Sequence, residues 1–284
     1  MTNPVNNNQD YTIKLTNKNF NQLSSFINLN FGIKLPEVKK IMLQSRLQKR
    51  LKELNLTSFQ QYCDYLFSSE GQKNEVVNMI DVVSTNKTDF FREPVHFDFL
   101  ANKILKNYTN TTQNIFKIWS AGCSSGEEPY SLAIILNEFA QYSTNFQYSI
   151  FATDISTIVL KKSVSAIYNE DKSNLIPLNL KRKYLLKNKD HNKKNVRIIK
   201  DIRQKVKFER LNFMDKRYNV NEMFDCVFCR NTLIYFKHEI QEDVINKLCM
   251  NLKTGGYFFL GHSESITNMN VPLKQIQPTI FIKI

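Results

Sequence analysis

The amino-acid sequence predicts an α/β fold: a mainly parallel sheet with helices on both faces, preceded by a small all-α domain. Three observations predict it. Up to about residue 83, apolar residues recur at helical spacing and no strand pattern interrupts them. Beyond residue 100, short runs rich in Ile, Val, Phe and Tyr alternate with helical stretches, the order that builds a parallel sheet covered on both sides. Hydrophobic residues make up 42% of the 284, and aromatic ones 12%, enough for a sizeable core.

Residues 1 to about 10 are polar and read as a loose tail. FNQLSSFINLNFGI carries apolar residues at 20, 23, 26, 27 and 31, and this helix should stop near Gly32. Pro36 opens a second helix through Leu54. LTSFQQYCDYLF forms a third, with Thr57 or Ser58 as N-cap, and KNEVVNMIDVVS a short fourth. The strands expected after residue 100 are 116–121, 148–154, 205–211, 224–230, 256–261 and 279–284. Helices PYSLAIILNEFAQ, STIVLKKSVSAIY and HEIQEDVINKLCMNLK fill most gaps. The basic stretch KNKDHNKKNVRIIKDIRQ (187–204) interrupts the alternation and reads as a small inserted β-element or a long loop. The expected domains are 1–84, a connecting segment 85–95, and 96–284.

Bulk properties narrow the function. No apolar run is long enough to span a bilayer, and MTNPVNNNQDY lacks the plan of a signal peptide, so a soluble cytoplasmic protein is expected. Five scattered cysteines make no disulfide framework. Cys226 and Cys229 spell C-x-x-C, but on a strand, where residues three apart face opposite ways and cannot clamp a metal. The net charge of +13 favours acidic partners, whether nucleic acid, anionic membrane or carboxylate-rich protein. A chain this rich in Asn and Lys can also be basic without binding anything.

IWSAGCSSGEEPYSLAI (118–134) resembles a nucleotide-binding turn that ends wrongly: Gly122 and Gly126 lead into Glu127 and Glu128. Two carboxylates exclude a phosphate but suit a ligand with a cation and hydroxyls, such as S-adenosylmethionine. Equally, the pair could simply favour the positive end of the next helix. Asp154 at the end of the second strand breaks the tie, because an acid there holds ribose hydroxyls in such folds. Asn212 and Phe213 end the third strand, and Arg230 and Asn231 the fourth.

These residues carry a family resemblance. STNKTDFFREPVHF (84–97), the Gly-turn segment, FATDIS, FDCVFCRNTLIYF (224–236) and LKTGGYFFLGHSE (252–264) resemble, in order, the CheR-type bacterial chemotaxis receptor methyltransferases. RLQKRLKELNLTSFQQYCDYL (46–66) resembles their N-terminal domain. T-N-x-T-x-F-F-R-E and C-R-N-x-x-I-Y-F are the specific motifs. The resemblance implies a Rossmann-like S-adenosylmethionine-dependent domain with a small all-α N-terminal domain and a short inserted β-element. It implies transfer of methyl to glutamate carboxylates of chemoreceptors, leaving S-adenosylhomocysteine, with no metal.

The resemblance also assigns roles. Asn86, Thr88 and Arg92 would close over the cofactor, Arg92 pairing with a carboxylate through its planar fork. Glu128 would take the cofactor's amino end, with Glu127 as the competing neighbour, and Asp154 its ribose. Asn212, Phe213, Arg230 and Asn231 would frame the rest, while Tyr235 would meet the substrate and act with Arg92. His262 reads as structural or substrate-lining. Lys39, Arg46 and Arg50, within about 40° of one another on a helix and flanked by Lys49, would dock the acidic helical receptor region.

One departure stands out. Some members grip a receptor C-terminal pentapeptide with a glycine-containing loop, but 187–204 has no glycine. The expectation is a protein that needs no such tether, acts as a monomer, and reaches the membrane only through its receptor. A nucleic-acid methyltransferase fits less well, because RNTLIYF lacks the N-P-P-Y-like turn that accompanies a flipped base. A non-enzymatic binder would not be expected to keep every motif residue. G-H-S-E-S lacks the second glycine of a serine hydrolase elbow.

Overall fold

A computed structural model describes residues 13–108, 115–190 and 192–284, so the expected N-terminal tail lies outside the described residues. The chain forms two compact units, Met1–Ser84 and Thr85–Ile284. Among the described residues no helix is long and apolar enough to cross a membrane.

The first unit is helical: α1 (Asn17–Phe31), a 3-10 turn Glu37–Lys39, α2 (Lys40–Glu53), α3 (Phe59–Leu66), α4 (Ser69–Asn74) and α5 (Val76–Val83). Gly32, in the left-handed conformation, ends α1 where the sequence predicts. Ser58, not Thr57, caps α3, accepting from the Gln61 amide. The expected fourth helix is present as α5, and sequence reasoning missed α4 before it. Ser68 caps an additional helix around Gly71, where a Cβ would sit 1.9 Å from the Tyr65 carbonyl oxygen, so only glycine allows α4 this close to α3. Leu43, Leu47 and Leu51 of α2 are buried with Leu23, Ile27, Tyr62, Leu66 and Ile80.

The basic stripe on α2 needs correction. Arg50 is turned inward: its Nε and Nη2 make a two-pronged pair with the Glu75 carboxylate at 2.8 and 2.6 Å. The Glu75 side chain is 1% exposed and also accepts from the Tyr62 hydroxyl. Arg46 donates to the Val83 and Ser84 carbonyls, placing a cation at the C-terminal end of α5. Lys39 is half-buried, and Lys49, 72% exposed, is the outward member of the four. The angular spacing was right, but the stripe's centre faces α5. Arg50→Ala is therefore expected to destabilise the first unit by about 2–3 kcal/mol, because it strands a buried carboxylate. Trp119, the chain's single tryptophan, lies in the second unit. Thermal unfolding should fall by circular dichroism while the Trp119 fluorescence transition stays put; an unchanged helical transition would mean that Glu75 is not held by Arg50.

The second unit opens with α6 (Pro94–Phe99), running into a π turn, Leu100–Leu105. Then come β1 (Phe116–Ala121), α7 (Glu127–Ala140), β2 (Tyr148–Asp154), α8 (Thr157–Ser165), β3 (Ile167–Asn169), α9 (Leu178–Tyr184), β4 (Leu185–Lys187), β5 (Asn195–Ile198) and α10 (Lys200–Arg203). The chain continues through β6 (Val206–Arg210), β7 (Phe224–Cys229), α11 (His238–Met250), β8 (Leu252–Leu260), β9 (Leu273–Gln277) and β10 (Ile280–Lys283). The main sheet has the order β6-β2-β1-β7-β8-β10-β9, parallel except for β10, which pairs antiparallel with both neighbours. One core, with α7 and the π turn, covers one face; another, with α11, covers the other. Cys226 belongs to the first and Cys229 to the second, so their side chains do lie on opposite faces.

Two strand expectations change. β9 escaped notice because only its Leu273 is buried, and an edge strand with exposed polar residues shows no alternation. The insert is a β-element, but a larger one: β5 lies within 187–204, while its partners β3 and β4 lie wholly or mostly before it. Strands of three or four residues are too short to show a period.

Candidate active site

The order of the main sheet reverses between β1 and β7, so their carboxyl ends flank the position where such sheets bind ligands. Gly122 follows β1 with φ of +86°, and a Cβ there would lie 2.3 Å from Thr232 Oγ1. Glycine is what lets the turns after β1 and β7 approach. The turn then wraps the end of β2: Asp154 accepts from the Ser124 amide (2.8 Å) on one oxygen and the Ser156 amide (3.0 Å) on the other. Its carboxylate is thus fixed by backbone at the β2 terminus.

Arg230, 6% exposed, is the hub. Its Nε donates to Glu128 (2.7 Å), its Nη1 meets His96 Nδ1 (2.8 Å), and its Nη2 donates to the Arg92 carbonyl (2.7 Å). Glu93 lies 3.6 Å from the same guanidinium. The second Glu128 oxygen accepts from the Ser120 hydroxyl at 2.7 Å. Because Arg230 donates to Nδ1, His96 carries its proton on Nε2, which meets Thr279 Oγ1 at 2.8 Å. Burial, together with the neighbouring Arg230 charge, pushes His96 down to about 4, so it is neutral at physiological pH. For Glu93, burial alone would raise the carboxyl; the Asn231 amide and the Arg230 charge outweigh that and hold it below its ordinary value.

Segment 86–93 is sewn onto this hub. Ser124 Oγ donates to the Asn86 carbonyl (3.0 Å), Lys172 to the Thr88 carbonyl (3.0 Å), and the Phe91 amide to Ser131 Oγ (2.9 Å). Asn231 Nδ2 donates to Glu93 at 3.0 Å. The Arg92 head group donates to the Lys87 carbonyl (3.1 Å). Phe91, Glu93, Ser124 and Asn231 all have positive φ, a costly conformation for such residues. Their gathering at one place marks a site where geometry outranks local comfort.

Glu264 holds the turn after β7. One oxygen accepts from the amides of Thr232 (2.8 Å) and Leu233 (2.7 Å), the other from those of Asn231 (2.8 Å) and Gly261 (2.6 Å). Burial pushes this carboxyl up and the four amides pull against that rise. With each oxygen already taking two N–H groups, the carboxylate is the form that fits. The clamped turn leads into the 3-10 turn Leu233–Tyr235, which carries half-buried Tyr235. Asn212 Oδ1 accepts from the Met214 amide at 3.1 Å, and buried Phe213 packs against Phe236, with ring centroids 6.2 Å apart.

The structure thus gathers segment 86–93, Glu128, Asp154, Arg230 and Asn231 around one switch point. Asn212, Phe213 and Tyr235 stand on the turns after β6 and β7. The two glutamates separate: Glu128 belongs to the Arg230 hub, whereas Glu127, 1% exposed, accepts from Ser125 (2.6 Å) and keeps one buried oxygen without a partner. Burial pushes Glu127 up from the ordinary carboxylate range. Sequence reasoning missed Glu93, His96, Ser120 and Glu264. Each lies within or beside the quoted motifs, but the partners of Glu93 and His96 are more than a hundred residues away, three of the four amides on Glu264 are more than thirty away, and nothing local singles out the Ser120–Glu128 bond. Glu93, His96 and His262 also bring possible metal ligands within 4.8 Å of one another. The Arg230 cation, bonded to His96 Nδ1 and beside Glu93, opposes a metal there.

The site suits S-adenosylmethionine. Carboxylates at the ends of β1 and β2 match a cation and a ribose diol, and would repel phosphate. A family model described as "CheR methyltransferase, SAM binding domain" matches residues 86–282, and one described as "CheR methyltransferase, all-alpha domain" matches 18–84. The chemotaxis protein methyltransferase of Borreliella burgdorferi is 40% identical over 276 residues, 95% of this chain and 96% of that one. Its namesake in Escherichia coli is 35% identical over 258 residues, covering 90% and 87%. Chemotaxis protein methyltransferase 2 of Pseudomonas aeruginosa is 33% identical over 278 residues, covering 98% and 96%.

Proposed function

The chain belongs to the CheR methyltransferase family, S-adenosylmethionine-dependent enzymes, and from that premise we propose that it methylates glutamate side chains of chemoreceptors to γ-glutamyl methyl esters. When bound, S-adenosylmethionine supplies an electrophilic methyl group on a sulfonium leaving group. Asp154 would hold the ribose hydroxyls, its carboxylate aimed by the Ser124 and Ser156 amides. Glu128 would take the amino group, because it stands at the switch point while Glu127 does not. Asn86, Thr88, Asn212, Phe213, Arg230 and Asn231 would complete the cradle.

The single observation carrying this reading is the hub itself. A buried arginine holds Glu128 beside the β1–β7 switch point and anchors the T-N-x-T-x-F-F-R-E segment at the Arg92 carbonyl. The acceptor glutamate, with an ordinary pKa near 4.3, is already an anion at neutral pH, so no general base is needed. The protein's task is alignment and exclusion of water. Arg92 and Tyr235 would orient the incoming carboxylate, and Lys39 and Lys49, at opposite ends of the α2 region, would attract the acidic receptor helix.

Incubation with methyl-labelled S-adenosylmethionine and chemoreceptor-bearing membranes is expected to give protein-bound label that base releases as methanol. Arg92→Ala should lower that transfer at least a hundredfold while cofactor binding, read by calorimetry, survives in weakened form. Label that resists base would exclude a carboxyl ester, and cofactor binding with no label on receptor would point to another acceptor.

A further inference from the structure

The positive charge of this chain is not spread over it. Residues 178–207 hold twelve Lys or Arg and two Asp, so ten of the thirteen net positive charges sit in thirty residues. This segment builds α9, β4, β5 and α10 of the small-sheet region and runs into β6; it is not the helical unit expected to dock a receptor. Lys183, Lys187, Lys193 and Lys207 have acidic neighbours, but Lys189, Lys194 and Arg197 make no ion pair among the described residues.

The small sheet adds a second feature. Arg197 of β5 pairs across to Ile167 of β3 on one side and Leu186 of β4 on the other. Directly opposed residues in antiparallel strands share a face. The other face is buried through Tyr168, Val196 and Ile198, so this row looks outward. Ile167 is 43% and Leu186 56% exposed. An aliphatic–guanidinium–aliphatic row faces solvent, the Arg197 Nε donating to the Ser165 carbonyl (3.1 Å), and the connection between β4 and β5 carries Lys189 and Lys194.

We propose that this face binds an anionic phospholipid surface directly, in place of the expectation that the membrane is reached only through the receptor. Each Lys or Arg near such a surface is drawn to its anionic headgroups, and aliphatic side chains at the same level gain by entering the acyl boundary. Nine of the twelve cations are lysines, compact point charges suited to a diffuse field. A nucleic-acid backbone would reward the charges but leave Ile167 and Leu186 exposed to no purpose. Lipid contact would hold the protein in the plane of membrane-embedded substrates without a peptide tether, and would do so whether or not the acceptor is the one proposed above.

The test is co-sedimentation of the full chain with vesicles of phosphatidylcholine alone or with phosphatidylglycerol at equal parts. Binding is expected to the mixed vesicles at low salt, at least tenfold weaker to phosphatidylcholine, and to fall at least tenfold in 0.5 M salt. Lys189→Glu/Lys194→Glu/Arg197→Glu should weaken it at least a hundredfold, and Leu186→Ser several-fold with the charges intact. Methyl transfer to a soluble receptor fragment should be unchanged in both variants, which also shows that they fold. Equal binding to both vesicle types, or full binding by the triple variant, overturns the proposal. So does a triple variant that keeps its vesicle affinity but loses retention on the receptor's C-terminal peptide or on DNA.

Discussion

Replacing Arg230 by methionine is expected to destabilise the second unit by about 3–5 kcal/mol and to abolish measurable cofactor binding. The guanidinium is buried and makes three charge-assisted or carbonyl hydrogen bonds, to Glu128, His96 and Arg92. Removing one partner of a buried ion pair leaves the other's charge unpaid for in a medium that solvates it poorly. Urea unfolding followed by Trp119 fluorescence reads this unit specifically. The double variant Arg230→Met/Glu128→Gln should recover at least half of the lost stability, because the carboxylate bonded directly to Arg230 is gone and the Glu93 carboxylate that remains keeps its bond from Asn231, yet it should still bind no cofactor. A loss below about 1 kcal/mol in the single variant would mean that Arg230 is not the keystone described here.

The same network has a pH signature. His96 has an ordinary value of 6.5 and is held at about 4 in the folded protein. Its folded value lies below its unfolded one, so the unfolded chain takes up the proton first. Its contribution is complete above about 6.5 and is lost as pH falls towards 4. Arg230→Met removes one cause of the depression, so acid destabilisation from His96 should end at a higher pH than in the parent protein.

Glu264→Gln is expected to cost about 3–5 kcal/mol, although the shapes match. Each carboxylate oxygen takes two backbone amides. Glutamine offers one oxygen, and its NH2 would face two donors; stranding a pair of buried amides costs about 1–3 kcal/mol each. The turn they belong to carries Asn231 and leads to Tyr235, so its loosening should lower kcat more than it weakens cofactor affinity. Steady-state kinetics beside calorimetry distinguish this from simple unfolding. Equal losses in kcat and affinity, or none in stability, would show that the clamp does not set the turn.

The fold class was legible because it rests on local periods. Helical spacing marked the first unit, apolar runs marked six of the strands in the main sheet, and Asp154 and Glu128 could be placed because strand ends in this topology converge on one edge. The motifs supplied the family. What escaped the sequence has a common physical character: it depends on partners far apart along the chain. Arg50 and Arg46 sit at the angular positions expected of a docking stripe, and only the packing of α2 on α5 shows them spent on Glu75 and on the end of a helix. Arg230 is read from its motif as a ligand contact, and only the tertiary fold brings it to Glu128, 102 residues away, and to His96, 134 away. Glu264 is invisible as a clamp until four amides converge on it. Periodicity, a property of neighbours, was therefore written plainly in the chain. Which charges face solvent and which face one another was left to tertiary packing, because desolvation and pairing are decided only when distant segments meet.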